Sequence, residues 1–190
     1  MFFQTCTSPM RLWLPWLKKT DGFMLVLGID PGTATTGYGL VQETAQGDLA
    51  VVDFGVVLTP AGMAPEKRLL LLHERLLEIL LLHHPDSGAV EKLFFQRNVT
   101  NAIAVGQARG VALLAMAKSN IPIAEYTPME VKQAVTGYGG ADKLQIQMMV
   151  QAILNLAELP RPDDAADALA VAVCHLQSYR MRALMNPPEE

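Results

Sequence analysis

Four acidic side chains stand where acids are costly or unexplained. Glu91 lies in an apolar run, between Val90 and Leu93-Phe94-Phe95, where an isolated ionised carboxylate is expensive to bury. Asp30 closes the run Met24-Leu-Val-Leu-Gly-Ile-Asp30, and the C-terminal end of a strand in an α/β sheet is where functional groups gather. Asp164 and Asp167 sit at i and i+3 of a helical pattern, so both project from one face. Carboxylates brought together repel, and one takes up a proton unless cations intervene. Oxygen-only ligands suit Mg²⁺ or Mn²⁺ rather than Zn²⁺, and two such ions about 3.5–4 Å apart activate water and stabilise a leaving oxygen. The chemistry this points to is hydrolysis of a nucleic-acid backbone, with Asp30 and Asp167 or Asp164 flanking the ions and Glu91 holding the one that carries the attacking water. Plainer accounts stand beside it. Asp30-Pro31-Gly32 satisfies a β-turn, Asp163 and Asp164 open a helix where carboxylates cap, and Glu91 could pair with a cation inside the fold. Asp163 is expected to be only a cap. Asp167 lies a turn further in, among Ala165, Ala166, Ala168 and Leu169, with Val171 rather than a cation at i+4.

The elements that must position these acids follow from periodicity. Met24–Asp30, Thr36–Gln42 and Leu49–Leu58 read as three strands with short Gly-containing connections, an antiparallel meander. Pro65–His84 reads as a helix, with Pro65 in its first turn and Pro85 beyond its end. Ser87–Phe95 and Ile121–Tyr126 read as further strands, flanking a helix over Asn101–Ser119 capped by Thr100. Three helical patterns complete the chain, Pro128–Thr136, Ala141–Leu156 and Asp163–Met181, broken by Gly137-Tyr-Gly-Gly140 and Pro160-Arg-Pro162. Five strands among helices predict a mixed sheet and the α/β class.

The chain has 190 residues, 51% hydrophobic and 18% charged, which suits one globular domain and excludes a disordered chain. Net charge is −4, so no global positive field attracts polyanions, and a nucleic acid must meet a local patch. From Lys92 to Lys143 six cations face three anions, giving +3 there and −7 over the rest. Of Phe94 and Phe95, strand alternation leaves one to stack on an unpaired base. Cys6 and Cys174 are too few for a disulfide framework, which favours a reducing, cytoplasmic setting. The apolar stretch Arg11–Leu17 is interrupted by Pro15 and followed by Lys18-Lys19, the wrong order for a secretory signal. Residues 1–23 therefore read as an extension outside the fold, 24–182 as the folded domain and 183–190 as a tail. No stretch is long and apolar enough to predict a membrane span.

The ordered motifs together resemble the RuvC family of Holliday-junction resolvases. They are Gly28-Ile-Asp-Pro-Gly32 with Thr36-Gly-Tyr-Gly39, Glu91 with Phe94, Gly106-Gln-Ala-Arg-Gly110, Val131-Lys-Gln133 with Thr136-Gly-Tyr-Gly-Gly-Ala-Asp-Lys143, and Asp164-Ala-Ala-Asp-Ala-Leu-Ala170. The resemblance implies an RNase H-like fold and a homodimeric, Mg²⁺-dependent endodeoxyribonuclease, with Mn²⁺ able to substitute and two ions per site, that nicks four-way DNA junctions in symmetric pairs. It assigns metal binding to Asp30, Glu91, Asp164 and Asp167, phosphate contacts to Lys132 and Lys143, stacking at the opened junction to Phe94, and partnership to RuvA and RuvB. Some members carry histidine at the position of Asp164. The Asn101–Ser119 helix, with Ala102, Gly106, Gly110 and Ala117 near one face and Ile103, Leu113, Leu114 and Met116 beside them, is expected to form the dimer contact. Two other classes compete. An actin- or sugar-kinase-like ATP-binding domain needs a second half that the chain is too short to supply, and no P-loop is present. A non-catalytic RNase H-like DNA-binding module would have lost one or more acids, and all four remain.

Overall fold

The computed structural model describes residues 23–92 and 99–185. Five strands form one sheet in the order β3-β2-β1-β4-β5. β1 (Leu25–Asp30), β2 (Thr35–Glu43) and β3 (Leu49–Leu58) are the expected antiparallel meander, while β4 (Ser87–Glu91) and β5 (Ile123–Tyr126) run parallel to β1. The sheet is mixed, as predicted, and the fold is RNase H-like. The helices are α1 (Pro65–His83), α2 (Val99–Lys118), α3 (Pro128–Thr136), α4 (Lys143–Ile153) and α5 (Asp163–Met185). α2 begins one residue before its expected cap, Thr100, and α5 runs three residues past the boundary expected at 182.

Alternation along β1 sends Leu25, Leu27 and Ile29 to one face, against Leu72 and Leu76 of α1 and Ala108 and Ala112 of α2. Val26 goes to the other, into a core with α3, α4 and α5. Gly28 and Asp30 share the face of Val26 by the two-residue period, and the register pairs Gly28 with Gly39 and Asp30 with Gly37. α5 lies directly on these glycines. A Cβ at Gly28 would overlap the Ala168 carbonyl and come within 2.6 Å of the Ala172 nitrogen, one at Gly37 would overlap the Asp164 carbonyl, and one at Gly39 would come within 2.9 Å of the Leu169 nitrogen. The sheet lacks side chains where α5 crosses it, and α5 answers with the buried Ala165, Ala168 and Ala172. Its first turn is thereby brought close to the end of β1.

Candidate active site

The parallel register sets Gly28 beside Ala89, so Glu91, two residues on, shares the α5 face of the sheet with Asp30. Asp164 and Asp167 enter from the first turns of α5. The turn account of Asp30 does not survive. The loop Pro31–Ala34 is closed by Thr36, whose Oγ1 donates to the Gly32 carbonyl at 2.5 Å, and by Arg68, whose Nε donates at 2.7 Å to Thr59 Oγ1, which in turn donates to the Thr33 carbonyl. Among the described residues the Asp30 carboxylate takes no hydrogen bond from that loop, so its placement toward the acids is left unexplained by local structure. Asp163 is not the expected cap either. It lies inside α5, and its carboxylate accepts from Gln147 Nε2 at 2.9 Å and meets Lys143 Nζ at 3.3 Å, tying α5 to α4.

The electrostatics are those of an overcharged site. Burial first, then the charges of Asp167, Glu91 and Asp164, push Asp30 from its ordinary 3.8 up to about 7, with Lys143 opposing. Glu91 is raised by burial and Asp167, against the pull of Lys132. Asp167 is raised by burial, with the nearby Lys143 pulling down and Asp164 and Asp163 pushing up. Lys143 Nζ stands 3.2 Å from Asp167 Oδ2; burial disfavours its charge, and Asp167 and Asp163 outweigh that and raise it. A cleft of about 210 Å³ opens here, lined by Glu91, Lys132, Lys143, Ile146 and Asp167 among others. A larger hollow of about 640 Å³, between the β3 edge and the end of α4, has Asp48 as its one ionisable lining residue and lies away from the acids.

Among the described residues no three acids, histidines or cysteines are gathered closely enough to form a finished metal cluster. The donor set nonetheless fits a hard dication. Every candidate ligand is a carboxylate, and burial together with mutual repulsion pushes Asp30, Glu91 and Asp167 upward, a cost that a bound dication offsets.

The family profile for crossover junction endodeoxyribonuclease RuvC matches residues 26–175. The chain belongs to the RuvC family. Curated RuvC relatives include that of Syntrophomonas wolfei, 54% identical over 163 residues, which cover 86% of this chain and 94% of the relative. That of Chloroflexus aurantiacus is 59% identical over 152 residues, 80% of this chain and 92% of the relative. The solved RuvC of Thermus thermophilus superposes with a TM-score of 0.78 at 40% identity, over 84% of this chain and 97% of the other. A second structure, T. thermophilus RuvC in complex with Holliday junction substrate, gives 0.76 at 37% identity, over 83% and 96%.

Of the remaining RuvC motif residues, Phe94 lies outside the described residues. Lys132 and Lys143 both reach the cleft, yet both are engaged: Lys132 Nζ donates to the Ala141 carbonyl at 2.8 Å, holding the Gly137–Gly140 loop, and Lys143 pairs with Asp167 and Asp163. On α2, Leu113 and Met116 do not supply exposed apolar area; Met116 is buried against the sheet and Leu113 packs on the same core. The exposed stripe is instead Ile103, Gln107, Gly110, Leu114 and Ala117, with Ile103 62% and Leu114 53% exposed. Sequence reasoning quoted Gly28, Gly37 and Gly39 as family marks without a physical role. The signal that could have supplied one is their coincidence with the Ala-rich start of α5, since small residues on both partners mean close approach.

Proposed function

We propose that this chain nicks four-way DNA junctions in symmetric pairs, as a homodimer, with Asp30, Glu91, Asp164 and Asp167 holding two Mg²⁺ ions. The observation that supports this best is the convergence of half-buried carboxylates from β1, β4 and α5, with Asp30 pushed to about 7, beside two lysines in one cleft. When bound, the ions supply an activated water and neutralise charge on the leaving oxygen. The chain's own residues do the rest. The acids fix the site on rigid elements, and the close contact of α5 with the glycines of β1 and β2 excludes water behind it. Lys143 exchanges its carboxylate partners for a phosphate of the strand to be cut, and Lys132 contacts a neighbouring phosphate while keeping the loop in place. Phe94 stacks at the opened junction. The exposed α2 stripe forms the contact about a two-fold axis, which matches two identical sites to the two symmetric strands. The nuclease unit is residues 24–182, in a cytoplasmic protein that works with RuvA and RuvB.

Incubation with a synthetic four-way junction tests this directly. Wild type should give paired nicks that a ligase can seal, only when Mg²⁺ is added, and Asp30→Asn or Glu91→Gln should abolish them while junction affinity stays within about threefold, because amides keep shape but cannot balance dications. Full cutting in EDTA, or in either variant, refutes the assignment.

A further inference from the structure

Over its first turns α5 meets the sheet with alanines opposite Gly28, Gly37 and Gly39, while larger side chains, Leu169, Val173 and Leu176, are buried in the core further along. Glycines facing alanines allow close approach but offer little to interdigitate beside the acids. Near the acids such packing fixes the helix's distance from the sheet better than its position along its own axis. A slide along that axis would carry Asp164 and Asp167 past Asp30 and Glu91.

Eight residues beyond Asp167, roughly 12 Å along the helix, His175 is buried in the same interface. Its Nδ1 lies 2.8 Å from the Tyr126 hydroxyl and its Nε2 2.8 Å from Ser87 Oγ, which stands 3.2 Å from the Pro122 carbonyl. A neutral imidazole donates through one ring nitrogen and accepts at the other, and each hydroxyl can do either, so both tautomers satisfy both contacts. Ser87 opens β4, the strand that ends in Glu91, and Tyr126 is the residue of β5 paired with Glu91. Near this end of α5 Arg180 also meets Glu43 at 2.8 Å, but that pair is partly exposed, and such pairs contribute little.

We propose that His175, Tyr126 and Ser87 are positioning residues that pin α5 along its axis against β4 and β5, and so set the spacing of Asp164 and Asp167 from Asp30 and Glu91. This rests on reading those acids as the Mg²⁺ site. The test compares three variants of the full chain at a temperature where all are folded. His175→Phe removes both ring bonds, Tyr126→Phe removes one, and Leu76→Ala weakens the core on the opposite sheet face without touching the network. The readouts are junction affinity in EDTA, single-turnover nicking against Mg²⁺ concentration, and the thermal shift Mg²⁺ gives without DNA. His175→Phe should nick about tenfold or more slowly, the range seen when residues supporting metal ligands are lost, with affinity within about twofold of wild type. It should also need more Mg²⁺ and show less than about half the Mg²⁺-induced shift. Tyr126→Phe should move the same way by less, and it decides the matter if His175→Phe does not fold. Leu76→Ala should lose melting temperature but keep the wild-type Mg²⁺ response. A wild-type Mg²⁺ response in both network variants, or the same losses in Leu76→Ala, overturns the proposal. A wild type that shifts with Mg²⁺ but cuts no junction refutes the activity alone, and the shift comparison still decides the pin; a wild type with no shift overturns both.

Discussion

Asp30→Asn should make the metal-free protein more stable, and by an amount that grows with pH. Asp30 is displaced from 3.8 to about 7, by burial first and then by Asp167, Glu91 and Asp164. A folded-state value above the unfolded one means that the native chain binds this proton more tightly. Its contribution is fully present below about pH 4 and is lost as pH rises through about 7. At about 1.4 kcal/mol for each pH unit, the displacement corresponds to about 4 kcal/mol by about pH 8. Relaxation of the site and entry of water reduce that, so the expected gain for asparagine is about 2–4 kcal/mol near pH 8 and about zero near pH 4. For a domain of this size a kilocalorie moves the melting temperature by about 2–4 °C, well within the reach of thermal or urea unfolding in EDTA. Saturating Mg²⁺ should close the gap from the wild-type side, because a ligand that binds only the folded state stabilises it. Equal stabilities near pH 8 in EDTA, or a difference that stays constant from pH 4 to 8, would refute the electrostatic reasoning.

Lys143→Ala removes the cation that lowers both Asp30 and Asp167, so it should destabilise the metal-free protein at about pH 8 by about 1 kcal/mol and flatten the salt dependence of junction binding by about one phosphate contact; an unchanged salt slope would place the lysine in structure alone. Lys132→Ala should flatten the slope similarly and also raise the protease sensitivity of the Gly137–Gly140 loop, whose neighbour Ala141 it holds. Gly28→Ala forces a Cβ onto the backbone of α5 and should cost about 3 kcal/mol or more by denaturant titration, with nicking falling further than stability explains. Leu114→Glu on the exposed α2 stripe should leave the monomer folded but shift light-scattering mass from about twice 20.7 kDa toward 20.7 kDa and uncouple the paired nicks; an unchanged dimer would move the interface elsewhere.

Periodicity and punctuation made the element order legible. Pro65, Pro85 and Gly137 marked helix limits, whereas the uninterrupted apolar run of β1 did not tell its two faces apart. What could not be read was which competing local role each acid plays. Asp30-Pro31-Gly32 and Asp163-Asp164 carry turn and cap chemistry by type, and only long-range partners decide between the accounts: Thr36, Thr59 and Arg68 hold the loop and leave Asp30 unused, while Gln147 and Lys143 draw Asp163 away from capping. The same limit applies to the lysines. Their types and spacing pointed to phosphates, but a lysine in a cleft of uncompensated carboxylates pairs with those first, as Lys143 does with Asp167.

The glycines resolve why such a costly cluster is tolerated. Burial and neighbouring acids that together displace Asp30 to about 7 oppose the fold, and the site must be held by packing that does not depend on the acids themselves. Gly28, Gly37 and Gly39 let α5 descend onto β1 and β2 until alanine methyls meet backbone, burying Val26, Val41, Leu169 and Val173 in one core beneath. Apolar burial of that kind contributes about 25 cal/mol per Å² and is indifferent to pH, so it persists when the carboxylates ionise. The repulsion is then confined to the end of the sheet, where the cleft is open to a cation. Moving the acids inward would remove that access, and enlarging the glycines would lift α5 and spread the acids apart. The close helix–sheet contact and the overcharged site are thus one feature of the fold, which is why Gly28→Ala should lose activity and stability together while Asp30→Asn should exchange one for the other.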